Sequence, residues 1–282
     1  MENQFDDPVP HDVYSQYGED GLIDWLVGRI EIAHRICVEF GAWDGQRLSN
    51  TFNLVKNSGW KALYIEGDPK KYAALKATAA AYPAITPEKA FVVAKGTNSL
   101  DFILTKHNLP YNFEVLSIDV DGADYDIWEG LNHYQPLIVI IEHNQSMPPG
   151  FEHVDRDGAG HIGSSATSLN KLAKRKDYDL FACTITNSIY LRNDLFAKLG
   201  RSPTTVERAF NKKFVCYAFK NASDELVFSN PEFTKNIRSV NYASLPKWIK
   251  HSVFRNKSFY ALDEHYKEGY FTKVVRQLRR IG

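Results

Sequence analysis

The sequence predicts an α/β chain built on a mostly parallel sheet with helices on both faces. Two observations predict it. Short apolar runs alternate with helical stretches, and most of those runs end in an acidic residue or a glycine turn. At 282 residues and 44% hydrophobic content, the chain has room for one sizeable core with an appendage.

The elements follow in order. A first helix carries Leu22, Ile23, Leu26, Val27 and Ile30 on one stripe, and a strand over 36–40 comes next. A second helix starts near Ser49, a good N-cap, and stops at Asn57-Ser58-Gly59. The strand 62–65 runs into Glu66-Gly67-Asp68-Pro69, where Asp68 caps and Pro69 occupies the first turn of an alanine-rich helix. A third strand is expected over 91–94, before Lys95-Gly96-Thr97-Asn98 and a helix that begins after Ser99. The fourth, 114–118, ends in a cluster of aspartates, of which Asp124 belongs to the acidic first turn of the helix bearing Ile127 and Trp128. The fifth, 137–141, ends in Glu142-His143-Asn144. A long polar loop, 145–163, precedes a helix with Ala166, Leu169, Leu172 and Ala173 inward, and two strand-like runs close the series, 178–183 and 188–191.

Charge balances overall, 34 basic residues against 34 acidic ones, and no nucleic-acid partner is expected. Residues 231–282 depart from that balance with 11 Lys or Arg against 4 Asp or Glu, which leaves +7 there and −7 elsewhere. The chain is therefore read as a domain over 1–230 and a basic, helical extension over 231–282. A solvated capping helix, an anionic membrane, an acidic glycan and the chain's own acidic body remain open as its partners, as does a homo-oligomer. No apolar run approaches the ~20 residues of a membrane span, and the acidic start lacks a signal peptide's basic end, so a cytoplasmic location is expected, at most peripheral to a membrane. Cys37, Cys183 and Cys216 lie far apart in apolar runs, which fits reduced thiols without chemistry.

The pattern Glu39-x-Gly41-x-x-x-Gly45 lets the chain turn tightly at a strand's carboxyl end and admits a ligand against bare peptide. It suits S-adenosylmethionine better than a dinucleotide, whose Gly-x-Gly-x-x-Gly spacing is absent; a plain strand-to-helix turn is the other reading. In open sheets, ligands bind beyond the carboxyl ends of the strands. Glu39, Glu66, Gly96, Thr97, Asp119, Asp121, Glu142, His143 and Asn144 should all converge there. An alcohol acceptor needs a group to take its proton, and His143 is the best-placed base. The alternative is a divalent ion, Mg²⁺ or Mn²⁺, held among Asp119, Asp121, Glu142, His143 and Asn144. The loop 145–163, with His153, Asp155, Arg156 and His161, is a candidate lid over the acceptor.

Five segments together resemble the FkbM-type class I methyltransferases: Ser15-Gln-Tyr-Gly-Glu-Asp-Gly, Val38-Glu-Phe-Gly-Ala-Trp-Asp-Gly, Leu48-Ser-Asn-Thr, Gly59-Trp-Lys-Ala-Leu-Tyr-Ile-Glu-Gly-Asp and Leu116-Ser-Ile-Asp-Val-Asp-Gly. The resemblance covers about residues 14–192. It implies a seven-stranded Rossmann-like sheet with one antiparallel edge strand, S-adenosylmethionine as donor, and transfer to a hydroxyl of a sugar, glycan precursor or polyketide. It also implies that the first glycine turn carries the methionine part, Glu66 the ribose, and the Gly96-Thr97 turn the adenine. The matching segments bring Gln16, Ser49, Asn50 and Asp119 to the cofactor. Where members often have Lys-Ile-Asp-Val-Glu-Gly, this chain has Ser117-Ile-Asp-Val-Asp-Gly, so Asp121 is shorter by a methylene. Two other classes stay open: a non-catalytic module on the same fold, and a nicotinamide oxidoreductase.

Overall fold

The computed structural model describes residues 7–120, 122–156 and 162–215, together with Ser223 and three short strands that end at Asn241. The chain divides into two units, residues 1–143 with 149–210, and residues 144–148 with 211–282. The boundary expected at 230 falls inside the second unit. That unit contains an antiparallel sheet of Ala218–Lys220, Glu225–Phe228 and Ser239–Asn241. The helix expected over 271–281 and Cys216 lie outside the described residues.

The first unit has strands β1 (Ile36–Phe40), β2 (Lys61–Ile65), β3 (Ile85–Glu88), β4 (Val115–Ile118), β5 (Ile138–Glu142), β6 (Tyr178–Cys183) and β7 (Asn187–Arg192). Its helices are α1 (Glu19–Val27), α2 (Phe52–Ser58), α3 (Pro69–Ala81), α4 (Leu100–Lys106), α5 (Asp124–Gly130), α6 (Ala166–Arg175), α7 (Asn193–Leu199) and α8 (Val206–Ala209). The sheet order is β3-β2-β1-β4-β5-β7-β6. Every pair from β3 to β5 is parallel, whereas β7 runs antiparallel to both its neighbours. The reversed strand thus sits one place in from the edge, not at the edge itself. This is the Rossmann-like class I methyltransferase fold.

Local chemistry sets most of these elements. Asp68 accepts the N–H groups of Lys70 and Lys71 at 2.8 and 2.9 Å, and Pro69 opens α3, as the sequence leads one to expect. Gly59 closes α2 at φ 70. Thr51, not Ser49, is the N-cap of α2, but the Ser49 hydroxyl accepts the N–H groups of Thr51 and Phe52 and still fixes the helix start. The four inward residues foreseen for α6 are all buried. The third strand is a correction. It lies at 85–88 and contains Pro87, which only an edge strand tolerates; residues 91–94 make a single bridge, Val93 to Ser99.

Three buried carboxylates clamp loops that secondary structure leaves unpaired. Glu114, fully buried, accepts the N–H groups of Ala33, His34 and Ile36 at 2.9, 2.7 and 2.9 Å and so fixes the entry into β1. Asp20 gathers those of Val13, Tyr14 and Ser15 at 2.7–2.8 Å. Glu19 receives Tyr17 N–H, the Thr184 hydroxyl and the Asn187 amide. Charged acceptors make such bonds about twice as strong as neutral ones, and removing the acceptor strands buried donors. Glu114→Ala is expected to lower unfolding free energy by about 3 kcal/mol in urea titration, against about 1 kcal/mol for Glu114→Gln, which keeps an acceptor oxygen in place. Equal losses from the two would refute the clamp.

Candidate functional site

Chain order reverses between β1 and β4, since β1 continues to β2 on one side while β4 continues to β5 on the other. Such a reversal opens a crevice beyond the strands' carboxyl ends. Gly41 and Gly45 cross it at φ 73 and 77. A Cβ on Gly41 would collide with the backbone carbonyl of Asp119 at the end of β4, and one on Gly45 would stand 2.7 Å from Leu75 Cδ1. The turn therefore packs its first glycine against the end of β4 and its second against Leu75 and Tyr64, with the Gly41 and Ala42 N–H groups on the Ile65 carbonyl at the end of β2. Trp43, between the two glycines, also has positive φ, at 50°.

Of the two strand-end acids, one holds this turn and the other does not. Glu66 is buried, and both its oxygens receive backbone N–H groups, Trp43 at 3.0 Å and Asp68 at 2.7 Å. Each oxygen keeps one further lone pair for a hydroxyl. Glu39 turns to the protein: its Oε2 accepts the Ser49 hydroxyl at 2.9 Å, the Thr51 hydroxyl at 2.6 Å and Thr51 N–H at 3.1 Å. Burial pushes the Glu39 carboxyl up to about 7 against these bonds, which favour the charged form.

The other residues expected at the cofactor divide into two groups. Ser49 and Asn50 are buried, and Asn50 reaches across to the Ser117 hydroxyl at 3.1 Å. Gln16 bonds the Tyr17 hydroxyl and sits in the loop that Glu19 and Asp20 clamp. Gly96, Thr97 and Asp119 are exposed. Gly96 has φ 95 with nothing within 4 Å of a Cβ placed on it. Asp124, expected to be structural, accepts the N–H groups of Val120 and Gly122 at 2.9 Å and so shapes the turn after β4.

His143 follows β5 and is 2% exposed. Its N–H donates to the Thr186 carbonyl at 2.7 Å, its Nδ1 pairs with the Ser188 hydroxyl at 3.0 Å, and its ring lies 5.2 Å from that of Phe210. Nε2 is buried without a hydrogen-bond partner among the described residues. Burial holds the imidazole down to about 3, so the ring is neutral at pH 7. Ser188 and Phe210 carry no motif, and nothing short-range in the sequence marks them. Register finds Ser188: it pairs with Ile141 in β7, two residues before His143.

The expected ion site can be followed only in part. Among the described residues, no three His, Cys, Asp or Glu side chains group as metal ligands, and Asp121 lies outside them. Asn144 belongs to the other unit, where its Oδ1 accepts the Ser146 N–H at 2.9 Å.

The loop over 149–163 is fastened on both sides of its undescribed centre, 157–161, which includes His161. Asp155 accepts the N–H groups of Ile162 and Gly163, Ser164 takes that of Asp155, and Ser165 that of His153. Arg156 pairs with Asp126 at 2.5 Å and Glu129 at 2.7 Å and lies over the Tyr125 ring. It therefore anchors the loop to α5.

No family model and no curated protein sequence matches the chain. Solved structures do resemble it. The CMeT domain of the citrinin polyketide synthase is 13% identical, at a TM-score of 0.43 over 62% of this chain and 51% of that one. TrmK of M. capricolum, in complex with S-adenosylhomocysteine, is 14% identical, at 0.39 over 59% and 66%. The [4+2]-cyclase SpnF is 11% identical, at 0.42 over 61% and 65%. The chain spans about half the length of the first and just under two thirds of the others.

Proposed function

We propose that the chain is an S-adenosylmethionine-dependent O-methyltransferase of the FkbM type, acting on a hydroxyl of a sugar, glycan precursor or related natural product. The observation that carries this reading is the Gly41–Gly45 turn at the β1/β4 crevice, close-packed on the end of β4 at Gly41 and held by Glu66 through Trp43 N–H. When bound, S-adenosylmethionine supplies a sulfonium methyl group open to in-line displacement by an oxygen. Gly41 and Gly45 would admit its amino-acid part against backbone, Glu66 would accept the ribose hydroxyls, and the exposed Gly96-Thr97 turn would meet the adenine. His143 would take the acceptor's proton as the new C–O bond forms once the acceptor hydroxyl reaches its buried Nε2, a contact that has to raise the imidazole from about 3 for it to act as base. Ser188 holds the ring through Nδ1, a bond that keeps Nε2 as the accepting nitrogen when Nδ1 carries the proton. No step is routed through Mg²⁺ or Mn²⁺; Asp121, one of the expected ligands, lies outside the described residues.

Calorimetry with S-adenosylhomocysteine and with NAD tests the reading. The first should bind, and Glu66→Ala should weaken it by about 1–3 kcal/mol. NAD binding with no response to S-adenosylhomocysteine would sink it. The closed setting of His143 favours one second reading, a cofactor-binding module without turnover. Mass spectrometry of glycan precursors incubated with protein and S-adenosylmethionine separates the two, since only the enzyme adds a methyl group.

A further inference from the structure

The carboxyl edge of β1, β2 and β3 carries exposed apolar side chains beside the turn assigned to the cofactor. Trp43 is 41% exposed, Leu48 45%, Phe91 67% and Val93 43%, half of the eight large apolar side chains that stand out among the described residues. The Glu66-Gly67-Asp68 turn joins the two loops that bear them. Trp43 N–H donates to Glu66, and the Phe91 ring lies so close to Gly67 that a Cβ there would strike it. Trp43 and Leu48 are both held in the left-handed region, at φ 50 and 57, which L side chains occupy only when the surrounding structure imposes it.

Two cations lie over the ring of Trp43 itself. The Arg47 guanidinium lies 5.2 Å from the Trp43 ring centre and the Lys71 ammonium 5.0 Å, and both residues are exposed. The neighbouring acids are turned to backbone: Asp44 accepts the N–H groups of Gln46 and Arg47, Glu66 those of Trp43 and Asp68, and Asp68 those of Lys70 and Lys71. The start of α3 is thus closed by its own cap, and the outward charge comes from side chains. Tryptophan and aliphatic groups bordered by lysine and arginine match the boundary of an anionic bilayer, where rings settle at headgroup depth and cations meet lipid phosphate. A soluble anion would use the cations and leave four apolar side chains in water.

We propose that this edge is a membrane-contact face that sets the open crevice against an anionic lipid surface, and that the acceptor is a hydroxyl compound carried by that surface. Docking stands on the cluster alone; the acceptor's class rests on the methyltransferase reading. The test is sedimentation of the full chain with vesicles of phosphatidylcholine, with and without phosphatidylglycerol. Binding is expected on the anionic vesicles only, weakened by salt and accompanied by a blue shift of tryptophan emission. Trp43→Ser with Phe91→Ser, and separately Arg47→Glu with Lys71→Glu, should each weaken it at least about tenfold. Phe102→Ser with Tyr111→Ser, exposed elsewhere, should not. The charge-reversed variant leaves the apolar groups in place and keeps the test decisive if the serine variant melts early. Absence of vesicle binding, binding that both patch variants retain, or retention on a soluble sulfated polysaccharide with no blue shift on vesicles would each overturn the proposal. Calorimetry on the same samples keeps the readings apart: vesicle binding without response to S-adenosylhomocysteine sinks the methyltransferase and spares the face.

Discussion

Gly41→Ala is expected to lower stability by at least about 3 kcal/mol and to abolish S-adenosylhomocysteine binding, whereas Gly59→Ala should lose only about 1 kcal/mol and bind normally. Both glycines have nearly the same backbone, φ 73 and φ 70, so the left-handed penalty is common to the pair. They differ in what the new methyl group meets. At Gly41 it runs into the Asp119 carbonyl, a backbone atom held by β4 that cannot swing aside; at Gly59 nothing lies within 4 Å. The glycine turn and the end of β4 would have to separate, and that separation would tilt the strip of backbone offered to the cofactor. Urea titration reads the first effect and calorimetry the second. Equal losses in the two variants would mean that conformation alone, and not the contact with β4, makes Gly41 obligatory.

What could be read from the sequence follows the range of the interactions involved. The strands β1, β2, β4 and β5, the Asp68-Pro69 start of α3 and the inward face of α6 rest on periodicity and capping, which act within a few residues. β3 was misplaced because an apolar run at 91–94 outweighed a short segment with a proline, and only its place at the sheet edge makes Pro87 acceptable. Glu39 and Glu66 look alike in sequence, each an acid at a strand's end. The fold separates them: Glu66 holds the turn with lone pairs to spare, and Glu39 is drawn into Ser49 and Thr51. Ser188, Phe210 and the Arg156 anchor were invisible, since each gains its role from a residue 27 to 67 positions away.

The acid response should show two buried groups working against each other. His143 titrates near 6.5 when unfolded, and burial holds it at about 3 in the fold. Below 6.5 the unfolded chain takes a proton that the native chain refuses, so the stability present above that pH is lost as pH falls toward 3. Glu39 has the opposite sign. Its carboxyl rises from 4.5 to about 7, so the native chain keeps a proton that the unfolded chain gives up, and stability declines as pH rises through 4.5 to 7 and levels off above. Between 4.5 and 6.5 the two slopes offset each other, each amounting to about 2–3 kcal/mol across that window. Urea titrations should therefore find His143→Gln losing stability as pH rises and Glu39→Gln losing it as pH falls, with the unmutated chain nearly level between the two. His143→Gln should also lower turnover by about 10²–10⁴ while S-adenosylhomocysteine still binds. A level profile for His143→Gln would show that Glu39 is ionised in the fold throughout this range, and unchanged turnover would remove His143 as the base.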